Sequence, residues 1–101
     1  MSVLVITTVP ADMGAFDKVA ADNADTMRRI ADEARAKGAE HHWFADDGAG
    51  NLMIVDIWDT REHFEEFFAS QPDIPKMMAQ AGVEARPSTV SYRVMETPDA
   101  F

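Results

Sequence analysis

Asn51-Leu-Met-Ile-Val-Asp-Ile-Trp58 is almost wholly apolar. With the two-residue period of a strand, Leu52, Ile54 and Trp58 share one side and Met53, Val55 and Ile57 the other, so neither side suits water. A strand of this kind is covered on both faces. Asp56 alone breaks the pattern, on the side of Ile54 and Trp58. Immediately before it, Asp46-Asp47-Gly48-Ala49-Gly50 is a turn-rich link, and residues 39 to 45 form a second strand, so the two make an antiparallel hairpin.

Working outward, residues 2 to 9, Ser-Val-Leu-Val-Ile-Thr-Thr-Val, read as a central strand that Pro10 ends. From Ala15 to Lys37 the apolar positions Phe16, Val19, Met27, Ile30 and Ala34 recur at three- and four-residue spacing, with Asn23 in the same stripe. That spacing predicts one long amphipathic helix, its outer face carrying Asp25 with Arg29, Asp32 with Arg35 and Glu33 with Lys37, and Gly38 as its stop. After the hairpin, Asp59 and Thr60 offer an N-cap, with Glu62 just beyond. The helix they open buries Phe64, Phe67 and Phe68, and Gln71-Pro72 breaks it. Asp73 and Pro75 restart a short helix carrying Ile74, Met77, Met78 and Ala81, closed by Gly82, and a last strand covers about Ser88 to Met95.

The order strand, helix, strand, strand, helix, strand is the split βαβ arrangement of a ferredoxin-like α+β sandwich, an antiparallel four-stranded sheet with its helices on one face. A single domain spanning residues 1–101 is expected from the length. Helices on one face leave the other bare, yet the strands are apolar on both, which predicts a homodimer packed through the sheet face.

Composition narrows the chemistry. The chain has no cysteine, which removes thiol nucleophiles, disulfides and thiolate metal sites together. Nine basic against eighteen acidic residues give a formal charge of −9, which argues against nucleic acid and anionic membranes as partners. The N-terminal apolar run is short, has no basic start and meets Pro10, so a cytoplasmic protein is expected rather than a secreted or membrane-spanning one. The 46–51 segment lacks the spaced oxygen ligands of a calcium loop. No phosphate-binding glycine loop, zinc spacing or nucleophile elbow occurs, so no metal and no cofactor is expected.

Gly38-Ala-Glu-His-His-Trp-Phe44 leading into a hairpin, and Ile54-Val-Asp-Ile-Trp-Asp-Thr-Arg-Glu-His-Phe-Glu-Glu-Phe-Phe68, resemble the dimeric α/β barrel superfamily and within it the antibiotic-biosynthesis-monooxygenase-like group. The resemblance covers nearly the whole chain in element order. It implies the dimeric barrel fold and a range of activities: cofactor-free oxygenation of aromatic polyketides, haem degradation and isomerisation of small lactones. The haem-degrading members use an Asn, a Trp and an iron-ligating His. Trp58 stands near the place of their tryptophan, but the first strand has no asparagine and no histidine follows Phe68, so the resemblance does not extend to haem.

His41 and His42 point to opposite sides of their strand, so one substrate meets at most one of them. If the hairpin pivots near Gly48 and Ala49, His42 faces Asp56, Phe44 faces Ile54, and Glu40 faces Trp58, on a side looking away from the helices into the space between sheets. His42 is then a general base or acid oriented by Asp56, in an inter-sheet cavity walled by Phe44, Ile54, Trp58 and Tyr92. A small apolar or aromatic molecule is the ligand this predicts. The plainer reading is that His42 and Asp56 only satisfy each other, and a one-residue slip would pair His41 with Asp56 instead. Asn23 is a further candidate ligand contact, although a polar amide in an apolar stripe more often makes a structural hydrogen bond to a neighbouring strand or helix end. His63 reads as solvated surface. Met27, Met53, Met77 and Met78 are either core or the walls of an adaptable pocket.

Overall fold

In the computed structural model, which describes residues 1–83 and 86–101, the chain runs β1 (Val3–Pro10), α1 (Met13–Asp22), α2 (Ala24–Lys37), β2 (Ala39–Asp46), β3 (Asn51–Trp58), α3 (Arg61–Ser70), α4 (Asp73–Gln80) and β4 (Ser88–Arg93). The four strands form one antiparallel sheet in the order β2-β3-β1-β4. This is the ferredoxin-like α+β arrangement expected from the element order.

The expected single helix is two. Asn23 interrupts it at φ −118°, ψ 25°, outside helical geometry. Its backbone N–H and its side-chain Nδ2 both donate to the carbonyl of Val19, a local competition that a short amide side chain sets up readily. The helix ion pairs are also redistributed. Arg35 pairs with Asp32 as expected, while Arg28 takes Asp25 and Arg29 bridges Glu33 and Asp73 of α4. These pairs are exposed, so each adds little to stability.

Register decides which side of the sheet the helices cover. Val5 pairs with Asp56, Thr7 with Ile54 and Val9 with Leu52, and Val5, Thr7, Val9, Leu52, Ile54, Asp56 and Trp58 are all buried. Trp58 and Val5 form one core cluster with Phe64 and Phe67 of α3, against which Ile30 and Ala34 of α2 pack. The Ile54/Asp56/Trp58 side therefore lies under the helices, and the expectation that it looks away from them is wrong. Phe64 and Phe67 of α3 pack against Trp58 on that side.

The other side of the sheet carries Leu4, Ile6, Trp43, Met53, Val55, Ile57, Val90 and Tyr92, half-buried or exposed. Among the described residues no helix is long and apolar enough to cross a membrane.

The 46–50 turn sets the hairpin register. Asp46 accepts from the N–H of Gly48, and Asp47 accepts from the N–H groups of Ala49 and Asn51 and from the Asn51 amide. The Asn51 amide bond, before the backbone ones, holds the Asp47 carboxyl below its usual range. Gly38 makes the other sharp turn, at φ +124°. A Cβ on it would run into the Asp59 carboxylate, so this position needs glycine for space as well as for conformation.

Replacing Gly38 by Ala is expected to lower stability by about 2 kcal/mol or more. Gly48→Ala, at φ +75° but with open space around it, costs about 1 kcal/mol. Urea unfolding of the two variants checks the order; equal costs would remove the steric role of Asp59.

Candidate functional site

Asp56 is the one charged side chain among the buried residues described. It sits mid-strand on β3, between Val5 of β1 and His42 of β2. A carboxylate taken out of water needs a partner, and His42 Nδ1 lies 2.6 Å from its Oδ1. A carboxylate can only accept, so the proton is on Nδ1, and the neutral ring presents Nε2 as an acceptor. The Asp56 side chain is 11% exposed and that of His42 41%, because β2 is an edge strand and its outer rim meets solvent. The imidazole thus connects a buried carboxylate to the outside.

Beside this pair is a cavity of about 560 Å³. Its floor is the sheet, from His42, Phe44, Ile54, Asp56 and Trp58; one wall is α2, from Met27, Ile30, Ala31 and Ala34; the other is Phe64, Phe67 and Phe68 of α3 with Ile74, Met77 and Met78 of α4. The lining is mostly apolar, and Arg28 and Arg35 stand among the lining residues on exposed side chains. Its volume and its few convergent polar groups fit a small-molecule site.

The expected site residues divide. His42, Asp56, Phe44, Ile54 and Trp58 share the cavity, with the register predicted for His42–Asp56 and Phe44–Ile54. The cavity, however, lies between sheet and helices, so its expected inter-sheet location is corrected. Tyr92 pairs with Leu4 on the opposite side of the sheet and is half exposed there; it does not reach the cavity. Asn23 does not line it either: its amide is taken by the Val19 carbonyl and by Gln80 Oε1 at 3.3 Å, which ties the α1–α2 junction to α4.

Glu40 does not face Trp58. A bulge between Ala39 and His41 puts Ala39 opposite the tryptophan, while Glu40 accepts from Ser2 Oγ. One extra residue in β2 thus places a methyl group, rather than a carboxylate, against the indole while keeping His42 on Asp56.

Packing around the pair is aromatic. His42 meets Phe44 edge-on with centroids 4.9 Å apart, and Phe44 continues to Phe16 of α1 at 4.8 Å. Trp58 lies edge-on to Phe64 and tilted against Phe67. Its Nε1 is buried without a hydrogen-bond partner among the described residues. Met27, Met77 and Met78 line the cavity, whereas Met53 belongs to the other side of the sheet. For the helix walls the sequence predicts buried Phe64, Phe67 and Phe68 and leaves Met27, Met77 and Met78 open between core and pocket. Ala31 and Ala34, small residues facing large aromatics, were the available sign that space remained between them.

A second histidine–carboxylate pair is at the surface. His63 Nδ1 lies 2.9 Å from Asp59 Oδ1, and Thr60 caps α3 by accepting from the N–H of His63. The Asp59 hydrogen bond, then its charge, raises the His63 pKa, and the same bond lowers that of Asp59.

No family model and no curated protein sequence matches the chain. Solved structures do. SnoaB, a cofactor-independent oxygenase from Streptomyces nogalater, superposes with a TM-score of 0.62 at 13% identity, over 98% of each chain. Rv0793 from Mycobacterium tuberculosis gives 0.60 at 14% identity, over 98% of this chain and 100% of that one. An antibiotic biosynthesis monooxygenase gives 0.61 at 12% identity, over 93% and 99%. The chain shares the fold of these proteins.

Two measurements test the placements. Asn23→Ala is expected to cost about 1 kcal/mol in unfolding and to leave any ligand affinity unchanged; a loss of affinity without loss of stability would return Asn23 to the site. For the surface pair, the raised His63 pKa contributes stability that is present at low pH and lost as pH rises through the raised value. The lowered Asp59 pKa contributes stability lost as pH falls through the carboxylate range. His63→Ala should therefore cost more at pH 5.5 than at pH 9 in urea unfolding, and an equal cost at both would exclude the pair.

Proposed function

We propose that the chain is a cytoplasmic homodimer, each copy one domain, that binds a small apolar or aromatic molecule in the cavity between sheet and helices. It acts on that molecule as a cofactor-independent oxygenase or as an isomerase. One observation carries the reading: the His42–Asp56 pair on the wall of a mostly apolar cavity of about 560 Å³.

Both reactions share a first step the pair can perform. His42 Nε2 takes a proton from an acidic O–H or C–H of the ligand, while Asp56 holds Nδ1–H and stabilises the imidazolium that forms. Phe44, Ile54 and Trp58 hold the ring, and the methionines adapt the wall to its outline. An isomerase returns the proton to another atom; an oxygenase leaves the electron-rich anion to meet dioxygen. SnoaB is a cofactor-independent oxygenase on the same fold, which supports the second form.

Self-association follows from the uncovered side of the sheet. At a net charge of −9 the surface repels other copies almost everywhere, and least where it carries Leu4, Ile6, Val55 and Ile57. The same charge argues against nucleic acid as a partner.

A second reading is a ligand-binding dimer without turnover. It is favoured by the fact that burying Asp56 demands a partner whether or not chemistry occurs.

Phenols, naphthols and small lactones offered to the protein under air, with Trp58 fluorescence reporting occupancy, separate the two. His42→Gln is expected to leave affinity within a few-fold and to lower turnover by about 10²–10⁴-fold. Asp56→Asn should act in the same direction by losing the tautomer. Unchanged turnover in His42→Gln, with only stability reduced, would end the catalytic assignment; binding with no turnover in the wild type would establish the second reading.

A further inference from the structure

We propose that the molecule bound in this cavity is an amphipathic acid: an apolar ring system that enters between sheet and helices and carries a carboxylate that stays at the opening, held by Arg28 and Arg35. This rests on the cavity reading above and names the class of ligand that reading leaves open.

Charge is spread unevenly around the cavity. The chain has eighteen acids against nine bases. Among the described residues, however, the lining includes Arg28 and Arg35, the histidines His41 and His42, and only two acids, Glu40 and Asp56. Both acids already have partners: Asp56 is bonded to His42, and Glu40 accepts from Ser2 Oγ. The acidic surface as a whole repels an anion, and two guanidinium groups relieve that repulsion at this opening.

The two arginines share one stripe of α2, on which Arg28, Ala31 and Arg35 follow at three- and four-residue spacing. They stand about 10 Å apart along the helix axis. Ala31 between them ends in a methyl group, so two long side chains have room to converge on one ligand group. Both are exposed, whereas Met27, Ile30 and Ala34 on the neighbouring stripe are partly buried. The wall thus passes from apolar inside to cationic at its solvent edge, the complement of a molecule with an apolar body and an anionic end.

Their present partners leave them free to do this. Arg28 takes Asp25 and Arg35 takes Asp32, each one turn away along the helix and exposed, and pairs of this kind hold weakly. Neither aspartate lines the cavity. A guanidinium has five N–H donors in a planar fork, so it can receive a second carboxylate while keeping the first. Arg29 differs on both counts: it bridges Glu33 and Asp73, and it does not line the cavity.

The interior fixes the orientation. A carboxylate on the inner end would lie among phenylalanine rings and beside the buried Asp56 carboxylate, losing its hydration with no guanidinium in reach. At the opening it keeps part of its water and gains both arginines. The ring then points inward, toward Phe44, Trp58 and His42.

Calorimetric titration of the full chain with 2-naphthoate and with 2-naphthamide, an uncharged counterpart of nearly the same shape, tests this. The proteins are wild type, Arg28→Gln, Arg35→Gln, the double variant, and Arg61→Gln, which removes one positive charge away from the cavity. Naphthoate is expected to bind wild type about tenfold more tightly than naphthamide at low ionic strength. High salt narrows that gap, each single variant reduces it, and the double variant brings it to within about twofold. Arg61→Gln keeps the wild-type gap, and naphthamide affinity stays unchanged throughout, which shows that the variants fold. Naphthamide binding with no preference for naphthoate, a preference that survives in the double variant, or one lost equally in Arg61→Gln overturns the arginine opening and leaves the cavity reading standing. Binding of neither ligand overturns both.

Discussion

A carboxylate buried in the middle of an apolar sheet is the constraint around which this structure is arranged. Asp56 has Val5 on one side, the phenylalanines of α3 over the same face, and, among the described residues, His42 as its side-chain hydrogen-bonding partner. Leaving it unpaired would cost several kcal/mol, so the register of the β2–β3 hairpin is held to the one alignment that supplies the imidazole. That alignment is imposed at the other end of the hairpin, by Asp46 and Asp47 bonding the turn's own N–H groups. Turn, register, hydrogen bond and cavity form one chain of dependence.

The bulge at Glu40 completes it. Without an extra residue, the position opposite Trp58 would be occupied by a carboxylate, a second buried charge with no partner nearby. With it, Ala39 packs against the core, Glu40 is taken by Ser2, and His42 keeps its place. Small side chains on α2, Ala31 and Ala34, then leave the space between the sheet and the phenylalanines open. The two sides of the sheet differ: one encloses the cavity with the His42–Asp56 pair, and the other carries the apolar residues that no helix covers.

Much of this was legible before any coordinates. The apolar alternation of β3 and the turn residues of 46–50 identified the hairpin, and their spacing paired His42 with Asp56 and Phe44 with Ile54, as the structure has them. Element order led to the fold. What failed shares a cause. The place of Asn23 in the apolar stripe predicts a continuous helix, because it carries no sign of the side chain competing for the Val19 carbonyl. The sequence puts Tyr92 in the cavity, and the cavity between sheets, because a strand apolar on both sides does not say which side a helix will choose.

The sequence by itself determined the strand and helix types, the pairing of His42 with Asp56 and the apolar character of both sides of β3, since these follow from local periodicity, turn chemistry and the side-chain alternation of a strand. Tertiary structure alone decided which face α3 and α4 would occupy, that Ala39 rather than Glu40 meets Trp58, and that room for a ligand remains beside His42. Those outcomes depend on volumes and areas contributed by residues far apart in the chain, Val5, Ile30, Trp58, Phe67 and Met78 among them, whose competition for the same space is settled only when they are packed together.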